Sequence, residues 1–145
     1  MELRQNGFTL LETMIALSIV SILAVVAVPS YLDYEVRARI SEGFNLVEPV
    51  KGMVMEYHEI YGIWPNSNAA VAADPPASYQ TDDVDNISVT GNAAGATVTI
   101  TYRIPALGAN NTIALTASNG AGNILEWSCK HGTVINKFRP ASCKI

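Results

Sequence analysis

Cations are scarce in this chain: nine Lys and Arg among 145 residues, against thirteen Asp and Glu, for a formal net charge of −4. They form no run, which argues against sequence-independent nucleic-acid binding, where clustered charge must displace counterions. Histidine and cysteine are scarcer still, with two of each. His58 and His131 stand alone, and Glu56-Tyr57-His58-Glu59 is not the H-E-x-x-H pattern of a helical zinc site. Both histidines read as surface residues. Asp74, Asp82, Asp83 and Asp85 lack the spacing of a calcium loop and read as solvated charges. Ser128 has no acid–base constellation beside it. With no assembled nucleophile, metal cluster or phosphate loop, the chain reads as a non-enzyme that needs no cofactor.

The two cysteines, Cys129 and Cys143, both lie near the C-terminus. An even count in a chain with a membrane or export signal suggests a disulfide formed in an oxidising compartment. Closing so short a loop stabilises a fold by ~3 kcal/mol on the chain-entropy account. It would also fix an irregular surface segment with little core of its own.

Apolar residues are abundant, 49% of the chain, and the excess sits at the N-terminus. From Phe8 to Val28 the side chains are almost unbrokenly apolar, with one carboxylate, Glu12. At ~1.5 Å per residue a helix of that length spans ~30 Å, the thickness of a bilayer's hydrocarbon core. A charge at the centre of such a helix costs ~2.5–3.5 kcal/mol on insertion scales, less near an end, so Glu12 calls for a functional partner. Arg4 is the only cation ahead of the run, which puts the N-terminus in the cytoplasm. Tyr31 and Tyr34 fit an interfacial aromatic belt, with Arg37 and Arg39 beyond it.

Helical periodicity continues past the membrane-length run. Val36, Ile40, Phe44, Val47, Val54, Tyr57 and Tyr61 form one apolar stripe, with Glu42, Lys51, Glu56 and Glu59 opposite. The expectation is one helix from about Thr9 to Tyr61, ~80 Å long. Pro29 and Pro49 should each kink it, because each removes a backbone hydrogen bond and crowds the preceding turn. Gly62 and Pro65 mark its end. Residues 66–85 show no period and read as a surface loop. The period then changes to two, with short strands expected at 87–89, 96–102, 112–116 and 124–129 and turns at Gly91-Asn92, Gly108–Asn110 and Asn119–Gly122. An antiparallel sheet with one apolar face needs a cover, and the 36–61 stripe is the available one. The fold class is α+β: a long kinked N-terminal helix whose second half packs on a four-stranded antiparallel sheet.

Gly7-Phe8-Thr9-Leu10-Leu11-Glu12 after a short polar leader, followed by an apolar helix running to Pro29, resembles the type IV pilins, and within them the type IVa major pilins. The match is most specific over residues 7–37. Trp127-Ser128-Cys129 and Pro140-Ala141-Ser142-Cys143 are similar to the family's C-terminal loop. The resemblance implies that residues 1–7 are a prepilin leader and that prepilin peptidase cuts the Gly7–Phe8 bond. Phe8 would then be the N-methylated mature terminus. It further implies that Glu12 neutralises the Phe8 amine of a neighbouring subunit during assembly, that Pro29 and Pro49 sit at helix kinks, and that Cys129 and Cys143 close the exposed loop. Residues 8–35 would serve as transmembrane and filament-core helix, and residues 36–145 as the globular head.

The implied life history starts in the inner membrane, passes through the membrane assembly machinery, and ends in an extracellular self-polymer for adhesion, twitching motility and DNA uptake, with a host surface or DNA as ligand. Where family helices often carry a mid-segment glycine, Ser21 stands here, so unwinding between Ser21 and Pro29 has less support. Minor pilins and type II secretion pseudopilins share this architecture; the Cys129–Cys143 loop and the sizeable head favour a pilin. A further alternative, a secreted monomeric binding domain, needs signal-peptidase cleavage after Val25-Val26-Ala27. The length of the apolar run and Glu12 speak against it.

Overall fold

One helix accounts for more than a third of the chain. In the computed structural model, which describes residues 8–120 and 125–145, α1 runs Leu10–Tyr61 without interruption, through Pro29 and Pro49. It stops where the sequence places the stop: Gly62 takes a positive φ of 69° and its N–H bonds the His58 carbonyl at 2.9 Å. Only glycine reaches that left-handed cap without steric cost. The leader 1–7 with Gly7, and Ala121, Gly122 and Ile124 of the expected last turn and strand, lie outside the described residues.

Four strands follow, β1 Val84–Asn92, β2 Gly95–Tyr102, β3 Thr112–Asn119 and β4 Leu125–Gly132. They form one antiparallel sheet in the order β1-β2-β3-β4. Each is longer than its apolar pattern indicated, because ladder bonds continue into the polar Asn and Gly residues at the ends. Burial alternates along β2, with Ala96, Val98, Ile100 and Tyr102 inside and Thr97, Thr99 and Thr101 half exposed. β-Branched residues on both faces suit the extended backbone. In the pairing of β3 with β4, Leu115 faces an irregular stretch at Cys129 and Lys130, and the register shifts between Ala114 and Thr116.

The chain divides into two compact units, one ending at Tyr34 and the other covering Glu35–Ile145. In the second unit, α1 residues Val36, Ile40, Val47, Val50 and Val54 join the inner face of the sheet in one core. The buried helix positions, with Gly43, are spaced 4, 3, 4, 3 and 4, one face of a 3.6-residue helix. Tyr61, expected in that stripe, is 63% exposed. Continued by 3 and 4, the same spacing leads to Tyr57 and Tyr61. Tyr57 is half-buried and packs against the core as expected, whereas Tyr61 is exposed, its ring tilted against that of Tyr57 with centroids 4.6 Å apart. His58, expected at the surface, is half-buried with its ring stacked on Trp64 at 3.8 Å.

The 66–85 segment is more than a surface loop. It contains two short 3₁₀ turns, Ala69–Val71 and Pro76–Tyr79. Asn68 is buried: its amide donates to the Asp74 and Ile87 carbonyls at 2.9 and 3.0 Å, and its oxygen accepts the Val89 N–H at 2.7 Å. One side chain thus imitates a neighbouring strand along the β1 edge, which would otherwise present unpaired backbone groups.

Helix and sheet come into close contact at Gly43. A Cβ there would lie 2.5 Å from the Tyr102 hydroxyl oxygen and 2.8 Å from its ring. The Tyr102 hydroxyl donates to the Ile40 carbonyl at 2.9 Å, and burial pushes its pKa well above the ordinary tyrosine value. Gly43→Ala in an exposed helix would gain ~1 kcal/mol from propensity. Here overpacking opposes it, and the net expectation is a loss of about 1–2 kcal/mol, read by guanidinium unfolding of the detergent-solubilised chain.

Candidate functional site: an exposed apolar helix and a clamped C-terminal loop

In the first unit the helix begins at a Thr-x-x-Glu sequence. Thr9 Oγ1 accepts the Glu12 N–H at 3.2 Å and the Thr9 carbonyl accepts the Thr13 N–H at 3.2 Å, so Thr9 is an N-cap and Glu12 sits in the first turn. The serine and threonine hydroxyls further along bond their own helix: Thr13 to Leu10, Ser18 to Met14 and Ser21 to Leu17, each at 2.8 Å, and Ser30 to Val26 at 3.3 Å. This back-bonding leaves little polar demand on the surroundings. The segment is long and apolar enough to cross a membrane, and none of its most apolar window is buried. Phe8 is 77% exposed. Among the described residues, no ion pair includes Glu12.

In the second unit the expected disulfide joins Cys129 of β4 to Cys143, with Cα atoms 4.9 Å apart. The loop it closes is held from within by Arg139, which is 1% exposed. Its Nε donates to the Val134 carbonyl at 2.6 Å and its Nη2 to Gly132 at 2.8 Å. Its Nη1 reaches the carbonyls of Cys129 and His131 at 3.2 Å and of Cys143 at 3.3 Å. One planar donor fork therefore gathers five carbonyls, including those of both bridged cysteines. Burial pushes the guanidinium pKa down from the usual arginine range, and the carbonyl dipoles take the place of a carboxylate. The expectation of an irregular segment with little core is thus corrected: Val134, Phe138 and Cys143 are buried around this fork.

β4 turns into the loop at Gly132, whose φ is 104° and where a Cβ would meet the Thr112 carbonyl oxygen at 2.5 Å. Thr133 then doubles onto Thr112, their hydroxyls 2.9 Å apart. Beneath the bridge lies a cavity of about 360 Å³ lined by Phe44, Lys51, Trp127 and both cysteines. Lys51 sits over the Trp127 ring at 5.4 Å, and the Trp127 indole donates to the Met55 sulfur at 3.2 Å. The acidic residues of the 66–85 segment separate: Asp83 pairs with Arg39 at 3.4 Å and Asp85 with Arg103 at 2.7 Å. The Arg103 hydrogen bond, helped by Asn86, lowers the Asp85 pKa.

These features coincide with two sequence relationships. Residues 36–144 match the pilin family of bacterial filaments, and residues 3–28 match the prokaryotic N-terminal methylation motif. The chain belongs to the pilin family. Fimbrial protein EcpC of Eikenella corrodens is 37% identical to this pilin over 97% of the chain and 91% of its own length. Type IV major pilin protein PilE1 of Neisseria gonorrhoeae is 38% identical over 86% of the chain. The pilin spans only 58% of that relative's length. Type IV major fimbrial protein FimA of Dichelobacter nodosus is 27% identical, covering 97% of the chain and 95% of its own length.

Two participants escaped the residue-by-residue reading. The Thr9 N-cap was legible as Thr-Leu-Leu-Glu before an apolar run. Arg139 was not, since a lone arginine in a polar tail carries no periodic or spacing signal. Arg139→Ala would strand several carbonyls away from water, each costing ~1–3 kcal/mol. The expected loss is about 3 kcal/mol or more, read by unfolding under oxidising conditions, with new protease cleavage inside residues 130–142. Arg139→Lys keeps the charge without the fork and should recover only part.

Proposed function

We propose that this pilin is the structural subunit of a type IVa pilus, polymerising through its N-terminal helix into a surface filament for adhesion, twitching motility and DNA uptake. The observation that carries the reading is the stretch Leu10–Val28: helical, apolar, exposed along its length, with one carboxylate at its head and the methylation motif across it. Residues 1–7 are the leader, removed by prepilin peptidase at the Gly7–Phe8 bond, and Phe8 becomes the methylated terminus. Residues 8–35 are the membrane anchor and later the filament core, and residues 36–145 the displayed head. The inner-membrane assembly machinery moves the subunit from bilayer to extracellular fibre, and Pro29 and Pro49 are the kink positions. The ligand is a host surface or DNA.

Glu12 supports this reading through its energetics. A carboxylate desolvated in a helix bundle needs a cation, and cleavage creates an amine at Phe8. The partner is the amine of a neighbouring subunit, although Phe8 and Glu12 also stand at i and i+4 on one chain. The pair acts as a register check that admits only processed subunits. Intact mass of sheared surface filaments should correspond to residues 8–145 with one methyl group and one disulfide; a mature start at Val28 would sink the reading. Glu12→Ala should leave the subunit in the membrane while filament counts by electron microscopy fall tenfold or more, since losing ~1.4 kcal/mol per contact is already a factor of ten. Wild-type filament numbers from that variant would refute the register role.

A further inference from the structure

The two ends of the disulfide have unlike surroundings. Cys143 is 1% exposed, whereas Cys129 on β4 is only half-buried. Both line the cavity of about 360 Å³ beneath the bridge, together with the exposed Lys130, so the cavity reaches solvent. Its volume lies within the ~300–1,000 Å³ of small-molecule sites. Among the described residues, the charged ones that line it are Glu48, Lys51 and Lys130, two cations against one carboxylate. Lys51 is held from two sides, its ammonium 2.8 Å from Glu48 and 5.4 Å from the centre of the Trp127 ring.

The two sulfurs also differ as leaving groups. In thiol–disulfide exchange a thiolate attacks one sulfur and expels the other, and both access and the stability of the departing thiolate set the rate. Cys143 has the surroundings that stabilise a thiolate. The Ser142 hydroxyl lies 3.8 Å from its Sγ, within reach of a hydrogen bond to sulfur. The Arg139 guanidinium bonds the Cys143 carbonyl at 3.3 Å, and no Asp or Glu occurs between Trp127 and Ile145 to offset its charge. Opening the bond would not release the loop. Arg139 still gathers the carbonyls, and the Thr133 and Val134 N–H groups still donate to the Thr112 carbonyl at 2.9 and 3.0 Å. Asn136 still clasps Ile145 through two bonds of 3.0 Å, and Arg37 still donates to the Lys137 carbonyl at 2.8 Å.

We propose that this bridge is a site of reversible exchange with a small anionic thiol, entered through Cys129. The thiolate sits beside Lys51 and Lys130 and attacks Cys129 Sγ. Its sulfur bonds to Cys129 as the Cys129–Cys143 bond breaks, and Cys143 departs with the electron pair as a thiolate. One disulfide is consumed and one is made, so no further oxidant or reductant takes part. In the reverse step the Cys143 thiolate attacks Cys129 Sγ and expels the small thiolate, which restores the bridge.

The test uses the full chain in a non-ionic detergent, without denaturant, and 2-mercaptoethanesulfonate as the thiol. After a brief exposure, excess N-ethylmaleimide blocks every thiol, and peptide masses locate both labels. The expected product carries the sulfonate on Cys129 and the maleimide on Cys143, at least tenfold over the reverse. Neutral 2-mercaptoethanol should open the bridge more slowly, each rate being divided by that on the urea-unfolded chain. Lys51→Gln should slow the sulfonate about two- to fivefold, as for a partly screened charge pair. It should leave the 2-mercaptoethanol rate unchanged, a distinction that a merely distorted cavity would not produce. Reversed or equal labelling overturns the proposal, as does a bridge that opens only in urea. So does a Lys51→Gln variant that slows both thiols alike or neither.

Discussion

The approach of α1 to the sheet at Gly43 is the constraint on which the head depends. Tyr102 fills the space a side chain at position 43 would need, and its hydroxyl finds the Ile40 carbonyl as the local solution to a buried polar tip. With that distance set, valines suffice at positions 47, 50 and 54 to reach Val98, Ile100 and Ile113. Larger side chains would hold the surfaces apart, and smaller ones would leave cavities costing a few kcal/mol each. The helix shares one core with the sheet's inner face, so removing it would open that face to water.

The C-terminal loop meets a different problem. Leaving β4, the chain turns away from the ladder at Gly132, and its carbonyls lose their strand partners. Water could serve an open loop, but this one is folded back and closed by the bridge. Arg139 supplies the donors from inside, and no other side chain offers five N–H groups in one plane. A lysine would deliver three donors from one point and could not reach carbonyls spread from Cys129 to Cys143. Bridge and fork therefore act on the same backbone: the disulfide limits the unfolded ensemble, and the arginine satisfies the folded one.

What could be read from residues alone divides along physical lines. The helix, its stop at Gly62, the strand count and the helix-on-sheet arrangement all follow from burial periodicity, which is local and repeats. The stripe held as far as Tyr57, which packs against the core, and failed at Tyr61, where the helix ends and the residue stays exposed although the spacing includes it. Asn68 and Arg139 were invisible for another reason. Each is a single polar residue whose importance comes from backbone groups far away in sequence, Ile87 and Val89 for one and Cys129 for the other. No window of neighbouring residues contains that information. Glu12 lay between these cases, conspicuous by charge while its place in the first turn after the Thr9 cap went unread.

That second aspect of Glu12 raises the question of whether the helix terminus alone explains the residue. An acid in the first turn gains ~0.3–1 kcal/mol from the helix dipole, up to ~2 in the best partly buried geometry. Thr9 already caps this terminus, so the carboxylate is not needed for that bond. Against this stands ~2.5–3.5 kcal/mol for an acid at the centre of a membrane helix, less near an end and more in a dry bundle without a partner. Near the head of the helix in a bilayer the two quantities nearly balance, so Glu12 is tolerable there with no cation. In the interior of a helix bundle they do not, and the deficit must be met by a positive group from somewhere. Glu12 is thus close to neutral in one environment and demanding in the other, the property a residue needs if it is to discriminate between a subunit waiting in lipid and one correctly seated in a fibre.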